Sequence, residues 1–280
     1  MKKIAFIEIL LATFFWGSMV IASKIACEYG ATPLSVATYR HLFVSILCAI
    51  FILRRKSRKL HLPVIIIGAL SFPIMSFSYF LTAELVSASF AAFMINTAPI
   101  YVLLFSFLMF REKLTKSKIV CLIMALIGMY LLTLPVFNFS IIGVISGIIS
   151  GISYASITIT AKYYLEKKVE LEQIIFEMLL FSPVLLVIVS SISDDILKIS
   201  PHSLILILYI CFCSTFLAYI FYFKALKKLE ASVVSIIAIM EPVWATILGL
   251  IILQEAMTLI MYIGALLIIL SSIILAKVQK

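Results

Sequence analysis

In the run Ile237-Ala238-Ile239-Met240-Glu241-Pro242-Val243-Trp244, an acid and a proline stand side by side inside an apolar stretch covering residues 231–253. As a helix rising roughly 1.5 Å per residue, this stretch crosses about 30 Å of hydrocarbon and puts Glu241 roughly 15 Å from either end. A carboxylate at that depth costs about 2.5–3.5 kcal/mol, and proline removes a backbone donor and frees a carbonyl one turn earlier. Two kinds of chemistry fit such an acid. It can shed its desolvation cost by binding a proton, which it could then exchange for a cationic or amine-bearing solute. Alternatively it can form a lasting ion pair with Arg40 of the second apolar run. Glu241, Trp244 and Leu248 lie at i, i+3 and i+7, so they share a face that must turn towards protein or water.

The elements that carry these residues are membrane spans. Of 280 residues, 64 % are hydrophobic and 12 % charged, against roughly 25 % charged in soluble proteins. Ten apolar runs of spanning length are predicted, at residues 4–23, 34–53, 62–81, 88–110, 117–134, 141–161, 172–192, 203–223, 231–253 and 258–276. The gaps are too short for a soluble domain, so function must sit in an all-α membrane bundle.

The net charge of +9 follows topology and does not point to nucleic acid. With the amino terminus set in the cytoplasm, all of the 22 basic residues except Lys24, Arg40 and Lys198 fall on that side. Glu28, Glu84, Asp194, Asp195 and Glu255 fall on the other. The positive-inside rule predicts a multi-pass protein with both termini cytoplasmic, surrounded by membrane lipids, with the basic cluster at 54–59 able to meet anionic headgroups. The run after Lys2 and Lys3 is longer than a signal-peptide core and is predicted to remain as a span, although Val20-Ile21-Ala22 would pass for a cleavage site. Cys27, Cys48, Cys121, Cys211 and Cys213 are odd in number and scattered, which points to packing. Neither Cys211-Phe212-Cys213 nor His41, His61 and His202 has the company of a metal site, and no cofactor is expected.

The chain also repeats itself. A shift of 143 sets Tyr79-Phe80 on Tyr222-Phe223, Ala88-Ser89 on Ala231-Ser232, Pro99 on Pro242, Glu112 on Glu255 and Thr115 on Thr258. Earlier in the chain a shift of 138 sets Trp16-Gly17-Ser18 and Lys24 on Tyr154-Ala155-Ser156 and Lys162. None of these identities is Leu or Ile, so shared greasiness does not explain them. Each half, 1–136 and 137–280, holds five spans, an odd number, so the second half must cross the membrane in the opposite sense. Inverted repeats with proline-broken spans at matching positions point to a secondary transporter with its site at the midplane, here at spans four and nine.

Other candidates gather around those breaks. Arg40, roughly 9 Å into its span, either snorkels to headgroups or lines the cavity and pairs with an acid. Asn96, three residues before Pro99, either satisfies a backbone carbonyl or touches the ligand. Tyr101 matches Trp244 in the 143 register, and this aromatic pair either packs or clamps a ring. Trp16, Tyr79 and Tyr222 face the same choice. Glu177 is a partner for a cation or an interfacial acid, and Lys24 an interfacial cation. Glu112 and Glu255 read as interfacial caps or salt bridges, Glu112 with Arg111 or Lys113. Gly143, Gly147 and Gly151, at i, i+4 and i+8, read as a helix-contact face, with flexibility for rocking as the lesser option.

Trp16-Gly17-Ser18, Arg40, Pro99, Glu112, Glu241-Pro242 and Glu255, in this order and spacing, resemble EamA-type members of the drug/metabolite transporter superfamily over nearly the whole chain. The resemblance implies ten transmembrane helices in two inverted five-helix repeats. The first four helices of each repeat would line a central cavity, with the fifth and tenth outside it. It also implies a small-molecule cargo such as an amino acid, a purine or a nucleotide sugar, often moved outward. The chain departs from the pattern at Ala98, where the first repeat lacks an acid, and at Tyr154-Ala155, so midplane charge rests mainly on the second repeat. The resulting reading is an exporter of small metabolites across the cytoplasmic membrane by alternating access, coupled to protons or facilitative, as a monomer or homodimer. Trp16, Arg40, Tyr79, Asn96, Pro99, Tyr101, Tyr222, Glu241, Pro242 and Trp244 are its expected site. A flippase of the same fold differs only in cargo. An intramembrane enzyme would need a signature the chain lacks: His-Glu-x-x-His is absent, and Gly147-Ile148-Ile149-Ser150-Gly151 is one residue too long for a serine motif.

Overall fold

The computed structural model of the protein describes residues 2–54, 60–134, 140–192 and 199–278. Arg55, Lys56, Arg58, Lys59, Asp194, Asp195, Lys198 and Lys280, part of the charge pattern above, lie outside the described residues. Among the described residues there is no strand. Ten helices of 18 to 28 residues are long and apolar enough to cross a membrane. In chain order the spans are Lys2–Glu28, Pro33–Arg54, Leu62–Leu85, Ala88–Phe110, Lys116–Thr133, Ile141–Glu166, Leu171–Ile192, Pro201–Lys228, Ala231–Ile252 and Leu259–Val278. The predicted runs recur with shifted ends. Span six continues past its apolar limit on the Lys162–Glu166 pair (3.6 Å). Span eight continues through Lys227 and Lys228, whose charge favours a helix carboxyl end.

Spans four, seven and nine are broken, the seventh into Leu171–Leu179 and Pro183–Ile192. The fourth divides into Ala88–Ile95 and Ala98–Phe110, the ninth into Ala231–Ala238 and Met240–Ile252. In spans four and nine the break lies about one turn ahead of Pro99 or Pro242, because the proline nitrogen cannot bond the carbonyl four residues earlier and its ring crowds that turn. In span four the neighbouring backbone is held locally. Thr97 donates to the Met94 carbonyl from its N–H (3.1 Å) and its hydroxyl (2.6 Å), and Asn96 Nδ2 donates to the Ala92 carbonyl at 2.9 Å.

The two halves match in detail. Arg111 (φ 56°) and Gln254 (φ 54°) are the left-handed residues that close spans four and nine. The next amide in each reaches back six residues, Glu112 N to Ser106 O at 3.3 Å and Glu255 N to Gly249 O at 3.2 Å, in the manner of a helix-ending turn. Thr115 and Thr258 then accept from Lys118 N and Met261 N, each at 3.4 Å, to start spans five and ten. All these pairs obey the 143 register.

Across the bundle, span one packs on spans eight and nine, span six on spans three and four, and spans five and ten on each other. The first helix of each repeat therefore lies against the broken helix of the other. Small residues permit the approach. A Cβ on Gly17 would stand 2.6 Å from Trp244 Cβ and 2.8 Å from the Glu241 carbonyl, and one on Gly151 would stand 3.0 Å from Tyr101 Cε2. The glycine stripe of span six is thus a helix-contact face.

Candidate functional site

The breaks of spans four and nine face one cavity. Ile95, Asn96 and Pro99 line it from one side and Ala238, Ile239 and Glu241 from the other, the first member of each set being the 143-register equivalent of the other's. Trp16 and its 138-register equivalent Tyr154 also line it, their rings edge to face at 6.2 Å. The wall is completed by Met19, Arg40, His41, Met75, Ser214, Thr215, Tyr219 and Ser235, so no lining residue comes from spans five, seven or ten. The volume is about 90 Å³. On a scale where one water needs about 10–15 Å³, that has room for several waters.

Arg40 lies in this wall. Its Nη1 rests on the Met19 sulfur and its Nη2 is 3.3 Å from His41 Nε2, while Nε is buried without a partner among the described residues. Glu241 is partly buried and also lines the cavity. No ion pair joins it to Arg40, and its carboxylate makes no hydrogen bond among the described residues. Ion pairs elsewhere include Lys24–Glu255, His61–Glu177, Lys118–Glu112, Lys118–Glu230, Lys162–Glu166 and Lys228–Glu8. The lasting Arg40–Glu241 pair is therefore absent from this conformer. A guanidinium and a carboxyl group thus line one small space without pairing with each other.

Five expected site residues, Trp16, Arg40, Asn96, Pro99 and Glu241, line the cavity; Tyr79, Tyr101, Tyr222, Pro242 and Trp244 do not. Tyr222 is fully buried one layer behind, its hydroxyl 2.9 Å from Thr158 Oγ1 and its ring 5.1 Å from Trp16. Tyr101 lies on Gly151. Trp244 packs on Gly17 and edge to face on Phe14 at 5.6 Å. Tyr79 stands against Phe80 at 5.8 Å. Pro242 shapes the break beside Glu241. Elsewhere Glu177 is completely buried and accepts from the His61 amide (3.2 Å) and from Gln173 Nε2 (2.6 Å), so its partners are not Arg40. Glu112 bonds neither Arg111 nor Lys113 but Lys118 and span nine, because its turn aims it across the bundle.

Sequence reasoning passed over His41 except as a metal ligand, and missed Tyr219 and Ser214-Thr215. Tyr219 lies three residues before Tyr222 and so shares its face, which was the available signal. Ser214 and Thr215 sit in a π-helix, Ile210–Leu217, a wider turn frequent at functional sites. Thr215 Oγ1 bonds the Ile210 carbonyl at 3.1 Å, and Ser214 Oγ has no partner among the described residues.

Ten membrane-length helices, two of them broken where they face a small cavity lined by Arg40 and Glu241, define a polytopic membrane protein with a polar cavity inside its bundle. The model of the EamA-like transporter family matches residues 3–134 and again 141–277, and the chain belongs to that family of membrane transporters. It is 29 % identical over 265 residues to an uncharacterized transporter of Archaeoglobus fulgidus, covering 92 % of this chain and 93 % of the relative. It is 24 % identical over 284 residues to the uncharacterized transporter YwfM of Bacillus subtilis, covering 97 % and 93 %. A protein crystal structure of 16 % identity matches 100 % of this chain and 98 % of its own with a TM-score of 0.83, which shows the fold alone.

Proposed function

We propose that this transporter exports a small metabolite across the cytoplasmic membrane by alternating access, with both termini cytoplasmic and the halves 1–136 and 137–280 rocking about the cavity between them. The observation that carries the reading is the cavity at the facing breaks, with Arg40 and Glu241 in its wall and no ion pair between them. Broken helices at matching positions of inverted repeats are where secondary transporters bind their cargo.

A solute bearing both an acid and an amine, such as an amino acid or a related compound, complements that wall. Arg40 receives the acid and Glu241 the amine, through charge-assisted hydrogen bonds. Glu241 releases the amine against a proton, which makes the proton the coupling ion. Trp16 and Asn96 complete the contact, Pro99 and Pro242 hold the breaks, and Tyr101, Tyr222 and Trp244 back the wall. One chain encloses the cavity, so a monomer suffices and a homodimer would leave it intact. Lipids surround it, and neither nucleic acid nor a cofactor takes part.

The test is uptake into proteoliposomes from labelled pools of amino acids, nucleosides and cofactors, with and without a pH gradient. Gradient-stimulated uptake of an amino-acid label is the expected result. Uptake confined to another pool would remove the cargo class, and uptake indifferent to the gradient would remove the coupling.

A further inference from the structure

The Glu112 carboxylate reaches out of its own half. It accepts from Ala231 N (2.7 Å), Ser232 N (3.2 Å) and the Ser232 hydroxyl, at the amino end of span nine. Glu112 is 8 % exposed, and Lys118, 2 % exposed, lies 3.8 Å from it and 2.7 Å from Glu230. Free amides at a helix start attract a carboxylate, most strongly where water is excluded. Around this clasp the first segment of span nine packs along the second segment of span four.

The mirror-image clasp would join Glu255 to Ala88 and Ser89, the 143-register equivalents of Ala231 and Ser232. In this conformer Glu255 is elsewhere, 2.7 Å from Lys24 Nζ at an exposed edge. The first segment of span four packs instead on spans three, five and six. Glu112 thus clasps span nine on the face that carries Lys118, whereas on the other the start of span four is capped by Ser87 Oγ, which accepts from Phe90 N at 3.1 Å, and not by Glu255. Lys24 also has a counterpart, Lys162, which here donates to the Leu226 and Leu229 carbonyls at 3.1 and 3.0 Å.

We propose that Glu112 and Glu255 are alternating clasps of the transport cycle, a step that rests on the alternating-access reading above. When the Lys118 face opens, Glu112 leaves Ala231 and Ser232 for Lys162, and Glu255 leaves Lys24 for the amides of Ala88 and Ser89. At each extreme one carboxylate caps a broken helix and the other rests on a lysine, so neither extreme leaves an acid uncompensated. These acids do not touch the cargo; they set the populations of the two conformers.

Hydrogen–deuterium exchange of the full chain in lipid nanodiscs reads both clasps at once, at amides 231–234 and 88–91. Glu112→Gln is expected to speed exchange at 231–234 about tenfold or more, the loss of a charge-assisted contact, and to slow it at 88–91. Glu255→Gln is expected to slow exchange at 231–234. Ser232→Ala removes one contact and keeps the charge, so it gives the Glu112→Gln pattern in smaller measure should that variant fail to fold. Faster exchange at 231–234 with 88–91 unchanged, or no response to Glu255→Gln, makes each acid a local cap and overturns the proposal. The readout needs no cargo. Reciprocal exchange without liposome uptake supports the clasps and removes the proposed cargo, whereas uptake with purely local exchange overturns the clasps and leaves the cargo standing.

Discussion

Arg40 is held in the cavity wall by its sequence neighbour His41, Nη2 to Nε2 at 3.3 Å. A guanidinium only donates, so Nε2 accepts and the imidazole proton sits on Nδ1, which donates to Ser182 Oγ at 2.9 Å; Ser182 in turn donates to the Leu179 carbonyl at 2.8 Å. The chain of bonds ties span two to span seven and aims Arg40. His41→Leu, which keeps bulk and loses both bonds, is expected to raise the KM for the cargo about tenfold while kcat changes little. His41→Gln can accept from Arg40 and donate to Ser182, so it should recover most of the loss. Equal losses in the two variants would reduce His41 to a packing residue.

The prolines are the next test. Pro99→Ala and Pro242→Ala let the freed carbonyls regain amide partners, so both variants should fold and insert. Both should also straighten a helix that the cavity needs broken, and slow transport. Initial rates in liposomes of matched protein content measure this, and a variant as fast as the parent would mean that its break is set by other contacts.

Much of the fold was legible because the repeat left its marks at polar and turn positions. Glu112 with Glu255 and Thr115 with Thr258 were identical in sequence, and the structure gives each pair the same backbone turn and the same cap. The site was legible only in part. Trp244 shares a helical face with Glu241 in sequence, yet span one fills that face through Gly17, so the indole meets Phe14 and not the cavity. Glu112 looked like a local cap because its partners stand 119 and 120 residues away. The π-helix of span eight has no composition of its own, since Ile210–Leu217 reads as ordinary apolar span with two hydroxyls.

Gly17 gives a prediction of its own. A methyl there meets the Trp244 Cβ and the backbone at Glu241 and Ala245, all within 2.8 Å of the Cβ position. Backbone cannot yield as a flexible side chain can, so Gly17→Ala should cost about 1–3 kcal/mol as overpacking. It should also push span one away from span nine. A lowered melting temperature in detergent together with slower transport is the expected result, and unchanged melting would show that the two spans already have slack.

The deepest test concerns Glu241. Its carboxylate shares the cavity with Arg40 but forms no ion pair with it, so the acid is not holding the bundle together in this conformer. Glu241→Gln should therefore stay folded, with a melting temperature close to the parent's. It should lose the amine contact and the proton exchange together, so that gradient-driven uptake falls at least about tenfold and the residual rate no longer responds to pH. If the acid instead pairs with Arg40 elsewhere in the cycle, the single variant leaves an uncompensated buried cation and destabilises the protein. The double change Glu241→Gln with Arg40→Gln would then restore part of the stability. The double-mutant cycle in melting temperature separates these cases: near-additivity favours exchange, and recovery favours the pair. Transport by Glu241→Gln at the parent rate and with the parent pH profile would sink both, and leave the acid as a feature of the kink alone.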